Sequence, residues 1–176
     1  SILWAVILGL ASINLLFFIY SGFAMTLRRR ASRIKNKFKA KDSEIILLVG
    51  SENGSTLRFA NAVQQQFIAL GKKAYLAEMN SYTQFPKAKQ LLVFAATHGM
   101  GDAPSNANQF IELLSKRVQK QKTKTAIIGF GSKSYADFCG FAYDVEAALA
   151  KQNWSETIVP LHTINDKSTE EFMAWI

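Results

Sequence analysis

Three stretches of this chain combine residue types that could bind a ligand. The first, "GSENGSTLRFA" (50–60), sets Ser51, Asn53, Gly54, Ser55 and Thr56 between an apolar run and a helical pattern. Such a loop offers an anion backbone N–H groups, hydroxyls and the positive end of a helix dipole. It holds no Lys, which excludes the Walker triphosphate loop and favours a phosphate monoester held by neutral donors. The same residue types also serve as ordinary helix caps. The second stretch, "LLVFAATHGMGDAPSNANQF" (91–110), breaks from a short apolar run into Thr97, His98, Gly99, Gly101 and Asp102. In the third, "GFGSKSYADFCGFAYD" (129–144), Gly129 and Gly131 allow a tight turn, and Tyr135 could present a ring or be a plain core aromatic. Its G-x-G has no third Gly at dinucleotide-fingerprint spacing. A phosphate cradle with aromatic and Gly-rich loops beside it suits a flat, phosphorylated heteroaromatic ligand.

Each stretch follows a run that reads as a buried strand. "EIILLVG" (44–50), "LLVFAAT" (91–97) and "TAIIGFG" (125–131) are apolar without period-two alternation, as parallel strands covered on both faces are. "KAYLA" (73–77) and "TIVPLHT" (157–163) are weaker strands, the latter at an edge because of Pro160. Helical patterns fall near 55–70, 105–120, 134–152 and 167–176. The alternation predicts a parallel sheet with helices on both faces, and ligands of such sheets sit at the carboxyl ends of the strands.

The remaining segment is of another kind. From Ile2 to Met25 there is no charged residue, and a helix of that length spans roughly 36 Å, more than a hydrocarbon core of about 30 Å. Trp4 and Tyr20 suit the two headgroup interfaces, and the polar Ser12 and Asn14 are expected to face another helix. The basic residues follow the apolar run, so an anchor is expected rather than a cleaved signal. Arg28, Arg29, Arg30, Arg33, Lys35, Lys37, Lys39 and Lys41 carry the whole net charge of +8. Next to a membrane helix they indicate a cytoplasmic domain and contact with anionic membrane lipid, not nucleic acid. The expected division is a membrane helix at 1–27, a basic juxtamembrane linker at 28–42 and a ligand domain at 43–176. The single Cys139 allows no intrachain disulfide. His98 and His162 lack a Cys or carboxylate set at metal-ligand spacing.

"SENGSTLRFA", "ATHGMGDAPSNANQF", "GFGSKSYADFCG" and "DKSTEEFMAW" resemble the flavin loops of the flavodoxin-like domain in diflavin reductases, the group of cytochrome P450 reductase and the sulfite reductase flavoprotein. The resemblance implies an α/β fold with a five-stranded parallel sheet in order 2-1-3-4-5 and FMN as a one-electron carrier. Ser51, Asn53, Gly54, Ser55 and Thr56 would hold the phosphate. Thr97, His98, Gly99 and Gly101 would line one side of the ring, and Gly131, Tyr135 and Phe138 the other. Asp102 and Asp166 match acidic positions, and Glu52, Ala96, Gly129, Phe130 and Cys139 complete the expected set, with Cys139 inside a helix. Asn53 replaces a usual Thr, His98 a stacking Tyr, and Met100 a common acid. The preceding helix resembles the architecture of PepSY-type proteins of the bacterial inner membrane. The family implies a ferredoxin-reductase-type FAD/NADPH domain, in cis or as a partner, and an acceptor such as a haem protein or ferric substrate. Two alternatives differ in class. A phosphoacceptor receiver shares the fold but needs carboxylates where this chain has Gly50-Ser51 and Thr97-His98. A flavin-free scaffold is the other.

Overall fold

The computed structural model describes residues 1–31 and 34–175. Two units are each compact: Ser1–Ile34 and Lys35–Ile176. The first is the helix α1 (Ile2–Ala31), whose apolar stretch Ile2–Met25 is long and apolar enough to cross a membrane. Ser12 and Ser21 turn their hydroxyls back onto the carbonyls of Leu8 (2.8 Å) and Phe18 (3.1 Å). The Ser12 hydroxyl thus finds its acceptor within the helix. The side chains of the basic run 28–33 lie outside the described part, as do Arg33 and Ile176 themselves.

In the second unit the strands are β1 (Ile45–Gly50), β2 (Ala74–Glu78), β3 (Gln90–Ala96), β4 (Thr123–Gly131), β5 (Ser155–Thr157) and β6 (His162–Asn165). All pair in parallel in the order β2-β1-β3-β4-β5, with β6 also on β4. Every residue of β1 is buried, as is nearly all of β3, which explains why neither alternates. The expected edge strand 157–163 is two strands. Pro160 has no N–H for the ladder, so pairing stops after Thr157 and resumes at His162, further along the same side of β4.

The helices α2 (Leu57–Ala69), α3 (Phe110–Lys116), α4 (Gly140–Ala150) and α5 (Thr169–Trp175) cover the sheet. On α2 the buried face is Phe59, Ala60, Val63 and Gln64, the i, i+4 spacing of an amphipathic helix. Phe59 stacks on Phe130 of β4 at 5.2 Å and meets Phe172 of α5 at 4.6 Å. Burying each such ring contributes about 1.5–3 kcal/mol.

Two helices are shorter than their patterns. α3 starts late because residues 105–109 are held as turns. Ser105 N–H donates to Glu52 Oε2 (2.8 Å), and Asn80 takes the N–H of Gln109 (2.9 Å) and donates to the carbonyl of Ser105 (3.0 Å). α4 cannot begin before Gly140, since Cys139 is left-handed with φ 55°. Cys139 therefore precedes the helix that was expected to contain it.

The unit also begins ahead of the expected boundary at 43. Asn36 behaves like a strand residue beside β2, donating to the carbonyl of Leu76 (2.8 Å) and accepting its N–H (2.8 Å). Buried Gln64 donates to the same Asn36 oxygen at 2.8 Å.

Candidate functional site

Parallel strands bring the three sequence stretches to one edge of the sheet. The cleft there is lined from the β1–α2 loop by Ser51, Glu52, Asn53 and Ser55, and from the β3 exit by Ala96, Thr97, His98, Gly99 and Pro104. The β4 exit adds Phe130, Gly131, Ser132, Tyr135, Asp137 and Cys139, and the β6 exit adds Asp166 and Lys167. Its volume is about 240 Å³, below the roughly 300 Å³ of the smallest drug-sized sites. It is a groove that would cover part of a ligand and leave the rest in solvent.

The first loop is built as an anion cradle. Gly54 takes φ 70°, which turns the chain into α2. Thr56 heads the helix with no side-chain capping bond, and its Oγ1 is buried without a partner. Its N–H donates to Ser51 Oγ at 3.3 Å, and among the described residues no hydrogen bond engages the N–H groups of Asn53, Gly54 or Ser55. The Thr56 side chain thus makes no cap, and Ser51 Oγ supplies the one side-chain bond given for this helix start. Glu52 points its carboxylate at Ser105 N–H, which joins the first loop to the second.

The second loop is a minimal hairpin. His98 and Asp102 exchange both backbone hydrogen bonds at 2.8 Å. The turn between them needs positive φ at Gly99 (54°) and Gly101 (112°), and Met100 stands exposed at its tip. Gly101 also abuts the third loop, where an added Cβ would lie 3.0 Å from Asp137 Cβ. Thr97 lies just before the hairpin, its N–H on the Phe130 carbonyl (2.8 Å) and its Oγ1 buried and unpartnered at the cleft wall.

Tyr135 in the third loop is half exposed at the rim, and Cys139 is fully buried at the base. Burial pushes the Cys139 thiol up from 9.0 to about 11. Asp166 and Lys167 are consecutive left-handed residues, φ 48° and 58°. Two bonds hold that strained pair, Asp166 N–H on the Gly131 carbonyl (2.8 Å) and Arg58 on the Lys167 carbonyl (3.3 Å), and Lys133 N–H ties the preceding Asn165 through its Oδ1 (2.8 Å).

Some expected site residues serve from behind the lining. Gly54 and Thr56 shape the cradle, while Gly101 and Asp102 close the hairpin. Gly129 lets α4 approach, since a Cβ there would sit 2.7 Å from Ala142 Cβ. Phe138 packs on the core with Lys133 Nζ 5.8 Å from its ring. The structure adds Pro104, Ser132, Asp137 and Lys167 to the lining. It also adds Asn106, whose Oδ1 accepts the Ser51 N–H at 2.9 Å, and Asn80 as positioning residues. The first four lie within or beside the quoted stretches. Asn106 also lies within the second quoted stretch, whereas no local pattern marks Asn80.

Sheet order, uncapped cradle and loop set define an α/β domain of flavodoxin type, and the chain belongs to the flavodoxin family, which it matches over residues 47–175. Among curated relatives it is 31% identical over 133 residues to the sulfite reductase [NADPH] flavoprotein alpha-component of Cronobacter sakazakii, covering 73% of this chain and 22% of that one. It is 29% identical over 156 residues to the NADPH–cytochrome P450 reductase of Rattus norvegicus, covering 83% and 23%. The chain thus spans about a fifth of the length of these relatives. The solved structure of oxidised flavodoxin 1 from Bacillus cereus superposes with a TM-score of 0.64 at 13% identity, covering 75% of this chain and 91% of that one. FMN is the cofactor that goes with this family, and the domain is of the electron-transfer kind found in diflavin reductases.

Proposed function

We propose that this chain is the FMN-carrying module of a membrane-anchored flavoprotein reductase. The observation that carries the reading is the uncapped start of α2, with the orphaned Thr56 hydroxyl and free loop amides in the same edge as the Thr97 hydroxyl. Ser51, Thr56 and the amides of Asn53, Gly54 and Ser55 fit a phosphate monoester, and the helix dipole favours its charge. Thr97, His98 and Gly99 would line one side of the ring, and Gly131 and Tyr135 the other. Asp137, Asp166 and Lys167 set charges of both signs around the mouth, with Asp102 at the base of the adjoining hairpin. Cys139 stays a neutral thiol and serves as packing. When bound, FMN stores electrons and passes them singly, while the protein tunes its potential through contacts and nearby charge.

Electrons reach this module from a ferredoxin-reductase-type FAD/NADPH domain, in cis or as a partner, and leave to a haem protein or ferric acceptor. In this reading α1 spans the membrane, of the bacterial inner-membrane type, and the flavin domain faces the cytoplasm. The full chain, purified in detergent, should carry one FMN per chain, identified by its spectrum after release. Colourless protein that ignores added FMN in a fluorescence-quenching titration would leave the flavin-free scaffold instead.

A further inference from the structure

The sheet edge opposite the cleft carries the other strong chemical feature of this unit. The entrances of β2, β3 and β4 place Lys72 and Lys73, Lys87 and Lys89, and Lys122 and Lys124 at that edge, all exposed, Lys124 being the second residue of β4. Backbone bonds fix these strand entrances side by side. Glu44 N–H donates to the Lys73 carbonyl (3.0 Å), Lys89 N–H to that of Glu44 (2.8 Å), and Lys124 N–H to that of Lys89 (2.9 Å). With strands about 4.8 Å apart, the row extends roughly 15 Å.

Acids offset it only in part, with exposed Glu156 standing in register beside Lys124. Asp42 and Glu44 are taken by Lys87 at 3.4 Å and Lys89 at 3.0 Å. Lys89, with Lys72 and Lys73 behind it, holds the Glu44 carboxyl below its ordinary range. Among the described residues Lys72, Lys73, Lys122 and Lys124 form no ion pair. A shallow depression of about 590 Å³ runs between the lysines, with Pro86 and Ala88 in its lining. Exposed Lys39 and Lys41 precede β1 at the same edge. The loops of the opposite edge carry Glu52, Asp102, Asp137 and Asp166 beside Arg58, Lys133 and Lys167, so positive and negative charges are mixed there and the concentrated positive charge belongs to the lysine edge.

We propose that this lysine edge is a docking face for an anionic lipid bilayer. The proposal rests on the reading of α1 as a membrane anchor. A flat row of flexible cations, drawn from several loops around a shallow surface, complements a sheet of headgroup charge. The segments 71–73, 86–89 and 121–124 contain no aromatic residue, whereas single-stranded nucleic acid needs stacking platforms. Each lysine near an anionic surface strengthens association about fivefold, and a tether holds the domain at high effective concentration. Docked this way, the domain turns its flavin loops away from the bilayer, toward a reductase domain in solution.

The test uses the full chain in lipid nanodiscs and reads hydrogen exchange by mass spectrometry. In discs containing phosphatidylglycerol, segments 70–74, 85–90 and 119–125 should exchange several-fold more slowly than in pure phosphatidylcholine discs. High salt should remove the difference, and loop 51–56 should show none. The triple variant Lys72→Glu, Lys122→Glu, Lys124→Glu spares both ion pairs and should weaken docking by at least about a hundredfold; its FMN content reports that it is folded. An anchored chain that exchanges equally in both discs overturns the proposal alone, as an acidic protein partner for this edge would require. A chain that never enters discs overturns the anchor reading and the proposal with it.

Discussion

Replacing Gly131 with Ala tests whether the end of β4 holds the third loop in place. A Cβ at this position would lie 2.9 Å from Cys139 N, 3.0 Å from Cys139 Sγ and 3.3 Å from Phe138 Cδ2. The nearest atom is backbone, and Cys139 is already left-handed. The strand cannot retreat, because the Gly131 carbonyl accepts the Asp166 N–H on its other side. The 132–139 segment must therefore move outward. Overpacking of this kind costs about 1–3 kcal/mol, and at roughly 4 °C per kcal/mol for a domain of this size Tm falls by about 4–12 °C. Since that segment supplies Tyr135 and Asp137 to the cleft, FMN affinity should fall as well, by about tenfold for each 1.4 kcal/mol of lost contact. Gly129→Ala is the control. Its nearest clash is with Ala142 of α4, so it should lower Tm with a smaller change in affinity. Calorimetry and FMN titration of both variants decide the matter. Wild-type Tm and affinity in Gly131→Ala would refute the reasoning.

Thr56→Val keeps the side-chain shape but removes the orphaned hydroxyl. FMN binding should weaken about tenfold or more while riboflavin binding holds, since one hydrogen bond to a charged group is worth about 1.5–3 kcal/mol; equal effects on both ligands in parallel titrations would remove Thr56 from the phosphate site. Cys139 should resist thiol reagents in the native state, because a shift from 9.0 to about 11 leaves about a hundredfold less thiolate at neutral pH. The native fold favours the protonated thiol, so its contribution to stability is complete below pH 9.0 and is lost as pH rises to about 11. Tyr82, pushed by burial from 10.0 to about 12, adds to the same alkaline decline; a urea midpoint unchanged from neutrality to that range would contradict both shifts. Asn36→Ala strips partners from Leu76 and Gln64 and should destabilise the domain by about 1–3 kcal/mol, measured by urea denaturation.

What was legible in the sequence is what depends on burial and on loop chemistry. β1, β3 and β4 announce themselves because both their faces are covered, and the three loops because turns and anion cradles demand Gly, Ser, Thr and Asn at fixed places. The errors lie where a distant group decides. The pattern over 134–152 is continuous, but the left-handed Cys139 starts α4 at Gly140. Residues 105–109 look helical until Asn80 and Glu52 claim their backbone groups. Pro160 marked the edge strand correctly, yet that it divides the strand into two pieces on one side of β4 follows from β4 being long enough to pair with both. Asn36 stood in an apparent linker, and its role depends on a strand far along the chain.

The bonds of Asn36 to β2 have a consequence for solubility. β2 is a terminal strand of the sheet, and an open strand edge is a template for another chain to extend into an aggregate. Here the Leu76 N–H and carbonyl are occupied by Asn36, and the Ala74 carbonyl by Gln64 at 3.3 Å. Asn36 and Gln64 thus occupy the middle of this open edge. If α1 anchors the chain as proposed, copies crowded in two dimensions would meet edge to edge far more often than in free solution, and this cover would keep each one separate.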